Sequence, residues 1–272
     1  MFQKEEFIFA TEEVQRAVHK LANAEKVTVL TGAGMSVASG IMPFRGKGGL
    51  WEKYDPEDVA NIVSFKRDPR SSWEMLKEIL QVVAKADPNP GHFSLARLEA
   101  LGVVNSVITQ NIDGLHQEAG SKNVIEFHGN TRRVVCMNCR ANYPTAAIEL
   151  KLLPPYCPLC GGVLKPDVVF FGEAIPKAAL LQSHVEVTQC QVVLVVGTSG
   201  MVDPAASMPE VAKKKGALII EVNPTRSYLT STATDVFLEG RSELILPMLV
   251  DEVETILRGK TPYQQERRNQ AE

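Results

Sequence analysis

TGAGMSVASGIMPFRGKGGLW, residues Thr31 to Trp51, is the stretch whose reading decides the fold. It follows a β-branched run, Val27 to Leu30, that reads as a buried strand. Gly32, Ala33 and Gly34 stand where that strand turns towards a helix, and glycines there let the backbone approach a ligand closely. A helix starting at this turn aims free N–H groups at a phosphate, as in a dinucleotide site on a doubly wound sheet. The G-x-G-x-x-G fingerprint is incomplete, because Val37 holds its third glycine position. Beyond Ser39-Gly40 come Met42-Pro43, Phe44-Arg45-Gly46 and Gly48-Gly49, which predict a mobile loop carrying one aromatic and one cation.

On the N-terminal side, residues 11–24 predict an amphipathic helix capped by Thr11, with Val14, Ala17, Val18 and Leu21 on one face. Residues 50–87 read as helical and loop-rich, broken at Pro56 and Pro69, with Trp73, Leu76 and Leu80 at helical spacing as core. A helix over 91–101 precedes a second apolar strand, Val103 to Thr109. Prolines are expected to interrupt any regular structure in 133–166, and an extended run, Val168 to Phe171, and a helix over 177–189 follow. Val192 to Val196 is the most continuous buried strand and ends in Gly197-Thr198-Ser199-Gly200. A helix over 205–215, strands over 217–222 and 236–238, and a closing helix over 247–258 begun by Pro247 complete the chain. Strands alternating with helices predict a largely parallel sheet covered on both faces. The polar signatures Gly32-Ala33-Gly34, Gln110-Asn111, Gly197 to Ser199 and Asn223 each follow a strand, so one crevice at the carboxyl ends can gather them.

With 272 residues and 44% hydrophobic content, the chain can bury a large core. A net charge of -3 and a pI near 6.0 argue against a general nucleic-acid or membrane-surface binder. No apolar run reaches the roughly 18 residues of a membrane span, and MFQKEEFIFATEE lacks the pattern of a secretory signal. The expectation is a soluble cytoplasmic protein with no membrane partner and no direct nucleic-acid binding. Its oligomeric state is left open, with a monomer compatible.

Cys136, Cys139, Cys157 and Cys160 form two C-x-x-C pairs, while Cys190 stands alone and is expected in the core. Without an export signal such pairs read as metal ligands, here a closed tetrahedral zinc site with no open position and hence a structural role. A nucleic-acid-binding zinc ribbon would want a basic surface, and the spacer offers Arg140 and Lys151 against Glu149. TQNIDGLH, residues 109–116, gathers Gln110, Asn111 and Asp113 at a strand end. Its carboxamides can hold an amide or a hydroxyl, and Asp113 can take a ligand N–H. Capping of the next helix by Asn111 and Asp113 is the plainer alternative. His128, in EFHGN, is the candidate general base, because Gly129 gives it access and it joins the sheet to the cysteine module. His19, His92, His116 and His184 have no such context.

Taken in order, GAGMSVASGI, FRG, TQNIDGLH, EFHGN, the paired C-x-x-C, KPDVVFFGE, VVGTS and EVNP resemble the sirtuin family, the NAD-dependent protein-lysine deacylases. The resemblance implies an α/β fold: a Rossmann-like doubly wound parallel sheet, plus a smaller domain of a four-cysteine zinc module and a helical insertion. It implies a discontinuous NAD domain over 1–42, 92–132 and 167–258, with the cofactor loop and helical insertion at 43–91. The zinc module would span 133–166 and a polar tail 259–272. It also implies NAD as co-substrate, one structural zinc ion on the four cysteines, and an acyl-lysine protein or peptide as partner.

NAD contacts are implied for Gly32, Ala33, Gly34, Ser36, Phe44, Arg45, Trp51, Gln110, Asn111, Ile112, Asp113, Gly197, Thr198, Ser199, Asn223 and Ser242. Val169, Phe170, Phe171, Gly172 and Glu173 would pair with the substrate peptide as an added strand. Leu76 and Ile79 would line the acyl pocket. Family members that prefer succinyl or malonyl groups carry a Tyr-x-x-Arg pair there, so these apolar residues imply acetyl or longer apolar chains.

In the implied chemistry the acyl oxygen attacks C1′ of the nicotinamide ribose and nicotinamide leaves. His128 and Asn111 are the catalytic residues; His128 takes a proton from a ribose hydroxyl, which attacks the imidate formed first, and water releases lysine and O-acyl-ADP-ribose. Met42-Pro43 and Gly200 depart from the family pattern. The same residues could serve mono-ADP-ribosyl transfer or NAD hydrolysis, or a non-catalytic NAD-sensing zinc protein.

Overall fold

A computed structural model describes residues 11–44 and 48–259. Arg45, expected in the cofactor loop, lies outside the described residues, as does the tail from Lys260 onwards.

The first helix, Glu12–Asn23, is capped by the Thr11 hydroxyl and buries Val14, Ala17, Val18 and Leu21, as its period predicts. Six parallel strands form the main sheet: β1 (Val27–Thr31), β2 (Val104–Thr109), β3 (Val124–Glu126), β7 (Val192–Val196), β8 (Leu218–Asn223) and β9 (Val236–Glu239). Their order is β3-β2-β1-β7-β8-β9, so the winding reverses between β1 and β7. Thr31 lies opposite Thr109 on one side and Val196 on the other. That register sets Gly32, Gln110 and Gly197 side by side at the carboxyl edge, where ligands of open α/β sheets bind. One apolar cluster joins the Glu12–Asn23, Pro90–Ala100 and Ser242–Gly259 helices to one face. A second joins Lys177–Gln189 and Met208–Lys214 to the other.

The cysteine region departs from the sequence expectation. It is a regular three-stranded antiparallel sheet in which β4 (Gly129–Cys136) lies between β5 (Asn142–Pro144) and β6 (Leu164–Val168). β6 carries Pro166 because it is an edge strand, where a missing N–H is tolerated. The expected extended run at 168–171 is therefore displaced, with the strand ending at Val168. Four helices, Leu50–Lys53, Pro56–Val59, Ile62–Arg67 and Pro69–Val83, share one apolar cluster with this small sheet. Pro56 and Pro69 occupy first-turn positions behind Asp55 and Asp68 caps, so they start helices here. The buried Trp73 indole donates to Leu164 C=O at 2.8 Å and ties the longest of these helices to β6.

Two other expectations change. The closing helix runs Ser242–Gly259, so Pro247 lies inside it at the cost of one backbone bond. The helix expected over 205–215 is shorter, Met208–Lys214.

Candidate active site

The glycine turn is built by contact between backbones. Gly34 N–H donates to Gly197 C=O at 2.8 Å, and Gly32 N–H to Val196 C=O at 3.0 Å. A methyl group on Gly34 would stand 2.7 Å from Gly197 Cα, and Gly197 itself adopts φ +61°. The turn leads into a 3₁₀ helix, Ala33–Ser39, in place of the expected ordinary helix. Two of the three N–H groups at the turn are thus spent inside the protein, and Ala33 N–H has no partner among the described residues.

A cavity of about 700 Å³ opens along this edge. It brings together Gly32, Ala33, Gly34, Phe44, Trp51, Gln110, Asn111, Ile112, His128, Gly197, Thr198, Ser199 and Asn223, together with Leu76, Ile79 and Val169 to Glu173. Ser36 and Asp113 line an adjoining apolar chamber of about 130 Å³, which shares Ala33, Phe44, Ile79, Asn111 and Ile112 with the first. Ser242 lines neither; it is buried at the start of the closing helix, and its hydroxyl has no protein partner.

Polar side chains in the cavity are fixed by a short network. Asn111 Nδ2 donates to Gly32 C=O and to Ser36 Oγ, both at 3.1 Å. Ser36 Oγ donates to Asp113 Oδ2 at 2.7 Å, and Asp113 Oδ1 accepts from Leu115 N–H at 3.0 Å. Both Asn111 amide hydrogens are committed, which leaves Oδ1 as the acceptor offered to the cavity. Burial pushes the Asp113 carboxyl up, against the opposing pull of its hydrogen bonds. Asp113 lies one residue before the Gly114 N-cap, where its bond from Leu115 N–H meets the first turn of the next helix, and both Asn111 and Asp113 line the smaller chamber.

His128 Nδ1 lies 3.1 Å from Gln110 C=O. A carbonyl can only accept, so Nδ1 carries the proton and Nε2 is the free base. Burial lowers the imidazole below its usual pKa, while the Gln110 bond partly opposes this. The net effect favours the neutral ring.

The expected substrate strand is largely occupied by its own fold. Val169 N–H donates to His128 C=O, Phe170 N–H to Glu173 Oε2 and Phe171 N–H to Ala60 C=O, each at 2.9 Å. Among the described residues, Val169 C=O and the backbone groups of Gly172 remain without partners. Glu173 also receives Lys165 Nζ at 2.9 Å, so its side chain braces this segment. Lys165 is almost fully buried, gives two further bonds to Pro166 and Val168 carbonyls, and sits 4.4 Å over the Phe170 ring.

Over the cavity, Phe44 stacks on Trp51 at 5.4 Å, and Trp51 meets Phe171 at 6.4 Å. Pro43 and Phe44 carbonyls accept from Leu50 and Trp51 N–H, which pins the two ends of the cofactor loop together. Gly200 takes φ +68°, and a side chain there would strike Leu229, which accounts for one departure from the family pattern. Met42 is half exposed on the smaller chamber and Pro43 on the larger cavity.

The four cysteine sulfurs lie within 4.8 Å of one another, with Cys136 to Cys160 at 3.5 Å and Cys139 to Cys157 at 3.7 Å. Tetrahedral zinc with Zn–S of about 2.3 Å sets sulfurs about 3.8 Å apart, so the quartet fits one zinc ion. Cys190 is buried away from it, as expected.

Sequence reading had not singled out Ala60, Met75, Met201 to Pro204 or Thr225 to Tyr228 on the cavity wall. Thr225 to Tyr228 follow the strand-end Asn223 and could have been found by the same rule as the rest. Met75 and Ala60 could not, because only packing places them.

A crossing of glycines at the sheet's winding reversal, amide acceptors along one edge and a neutral histidine under a zinc-fitting small sheet define a class. These are Rossmann-like enzymes that work in the cleft between a nucleotide domain and a metal-braced one. The Sir2 family model matches residues 32–204, and the chain belongs to that family. It is 48% identical over 238 residues to NAD-dependent protein deacylase 2 of Pyrobaculum aerophilum, covering 88% of this chain and 95% of that one. A mutant Sir2 homologue solved with ADP-ribose superposes with a TM-score of 0.87 at 40% identity, covering 91% of this chain and 99% of that one. Sir2Af2 bound to a myristoylated histone peptide gives 0.76 at 36% identity, covering 92% and 99%. No helix among the described residues is long and apolar enough to cross a membrane.

Proposed function

We propose that this chain is an NAD-dependent protein-lysine deacylase, acting foremost as a deacetylase, that yields nicotinamide, O-acyl-ADP-ribose and free lysine. One observation carries the reading. His128 is locked in the tautomer that leaves Nε2 as a neutral base, on the same cavity wall as the Asn111 acceptor. The names of the relatives and the ligands of the fold neighbours support it.

When bound, NAD supplies an electrophilic C1′ with nicotinamide as its leaving group; the protein positions and deprotonates. Asn111 Oδ1 would accept from a ribose hydroxyl, and His128 Nε2 would take a ribose-hydroxyl proton as that oxygen bonds to the acyl carbon, with water then releasing the lysine amine. Ile112 and Asp113 face the smaller chamber and would hold the carboxamide ring there, and Ala33 N–H would serve the diphosphate. Val169, one residue beyond β6 and bonded through its N–H to His128 C=O, has a carbonyl with no partner among the described residues, which would accept the amide N–H of the acyl-lysine. The Phe44–Trp51 stack excludes water from the bond being cleaved. Met75, Leu76 and Ile79 offer the acyl group an apolar wall, which favours acetyl or longer neutral chains over acidic ones. Zinc stays outside the chemistry and holds the small sheet.

Incubation with NAD and a panel of acyl-lysine peptides, followed by mass spectrometry beside His128→Ala, tests this. Deacylation is expected to fall by about 10²–10⁴-fold in the variant. Nicotinamide release without peptide deacylation would sink the proposal, and faster turnover of succinyl than acetyl peptide would overturn the acyl preference.

A further inference from the structure

Glu221 lies in β8 with no exposed surface, and its carboxylate collects four hydrogen bonds. Asn223 Nδ2 at 2.8 Å and Ser227 Oγ at 2.5 Å reach Oε1. Thr230 Oγ1 at 2.8 Å and Thr234 Oγ1 at 2.6 Å reach Oε2. No Lys, Arg or His among the described residues bonds it. All three hydroxyls are also tied to backbone, and Thr234 Oγ1 shares its one hydrogen between Glu221 Oε2 and Leu229 C=O, the latter at 3.0 Å. Ser227 Oγ accepts from Leu229 N–H, and Thr230 Oγ1 accepts from Ser227 N–H, so their single hydrogens go to Glu221.

The other Asn223 amide hydrogen goes to Thr198 C=O at 3.0 Å. Turning that amide over would set its oxygen against a carboxylate and a carbonyl, two acceptors. The network therefore decides which end of Asn223 faces the cavity: Nδ2 is held inside, and Oδ1 is offered outward. The same construction stands at the opposite end of the cavity. There Asn111 spends both amide hydrogens on Gly32 C=O and on Ser36, which in turn leans on Asp113. An acidic residue stands behind each asparagine, directly at one end and through one hydroxyl at the other. Two outward amide oxygens suit a ligand with hydroxyl donors at both ends, as two ribose rings supply.

We propose that Glu221 is a positioning residue for the co-substrate: it fixes the Asn223 amide so that Oδ1 accepts from a hydroxyl of the adenosine ribose. This rests on the NAD reading above. Arg226, on the same wall, lies 5.1 Å over the Phe237 ring.

The test is calorimetric titration of the full chain without peptide, beside its steady-state kinetics with acetyl peptide, using three dinucleotides: NAD and its analogues lacking the adenosine 2′- or 3′-hydroxyl. Kd is expected to move as each KM does. In the native protein, loss of one of these hydroxyls should raise KM about tenfold with kcat within twofold. Glu221→Gln should raise KM for NAD about tenfold, leave KM for peptide unmoved, and erase the penalty on that analogue. Asn223→Asp sets one carboxylate against another and should raise KM. Combined with Glu221→Gln, whose amide can donate to it, KM should fall back towards the native value. Equal use of both analogues by the native protein overturns the proposal, as does an undiminished penalty in Glu221→Gln or no recovery in the double variant. The native-protein arm holds even where a variant does not fold. Absence of NAD turnover by the native protein would instead overturn the functional reading.

Discussion

The two walls of the cleft are built on opposite plans. On the sheet side the contacts are backbone to backbone, with Gly34 against Gly197, and the Gln110, Asn111, Thr198 and Asn223 side chains have fixed partners. On the other side Phe44, Trp51, Met75, Leu76 and Ile79 present apolar side chains, held by helices that share one cluster with the cysteine sheet. The first plan suits a ligand read by hydrogen bonds, where an error of a few tenths of an ångström matters. The second suits a chain of methylenes, which needs room and dryness.

Metal removal separates the two plans most sharply. Structural zinc stabilises small sites by about 10 kcal/mol or more, so chelation should melt the β5-β4-β6 sheet and abolish activity. Both tryptophans, Trp51 and Trp73, pack in or against that half, so their emission should shift while amide exchange in β1, β2, β7 and β8 stays protected. Loss of protection in both halves together would break the comparison.

Acid should strike the sheet half. His92 and His116 meet edge to face beneath it, ring centres 4.9 Å apart, and burial lowers them to about 4 and about 3. Their neutral forms are favoured on folding, so the unfolded chain takes up protons that the folded one refuses. Stability is therefore full above about pH 6.5 and falls as pH drops towards 4, by roughly 2 kcal/mol for each histidine at pH 5. Urea unfolding followed by far-ultraviolet circular dichroism should show this, and His116→Gln should flatten the slope.

Gly34→Ala attacks the backbone contact itself. With no side chain to yield, the β1 and β7 ends must separate, and a cost of about 2–3 kcal/mol is expected in the same unfolding assay. KM for NAD should rise with it; an unchanged KM would show that the crossing can relax. The smallest effect belongs to the other wall. Trp73→Phe leaves Leu164 C=O without its donor, for about 1–2 kcal/mol, and should lower the melting temperature while sparing KM for NAD.

Much of this was legible in the chain. The β-branched runs 27–30 and 192–196 declare a parallel sheet because buried strands are apolar on both faces. The cysteine spacing declares a metal site because its ligands are local in pairs. His128 was legible by its neighbours, although its tautomer depends on Gln110 C=O, a group that any residue would supply. Less legible were β4 to β6, whose strands carry Pro166, Lys165 and two arginines and so lack the alternation of a half-buried strand. Glu221 and Lys165 were invisible. A charge in a strand reads as solvent-facing until Ser227, Thr230 and Thr234, or Glu173, are known to meet it. Ser242, whose neighbouring backbone the family resemblance implied as a contact to the adenosine half, is buried at the start of the closing helix.

The contact of Gly34 with Gly197 also sets a rule for inheritance. The two glycines come from the first and last thirds of the chain, yet neither tolerates change unless the other moves. Chimeras spliced from two relatives should work only where both turns come from one parent, or where the parents agree on this crossing. The segment from 35 to 196 can vary more freely, so acyl preference can drift while the nucleotide cradle stays as it is.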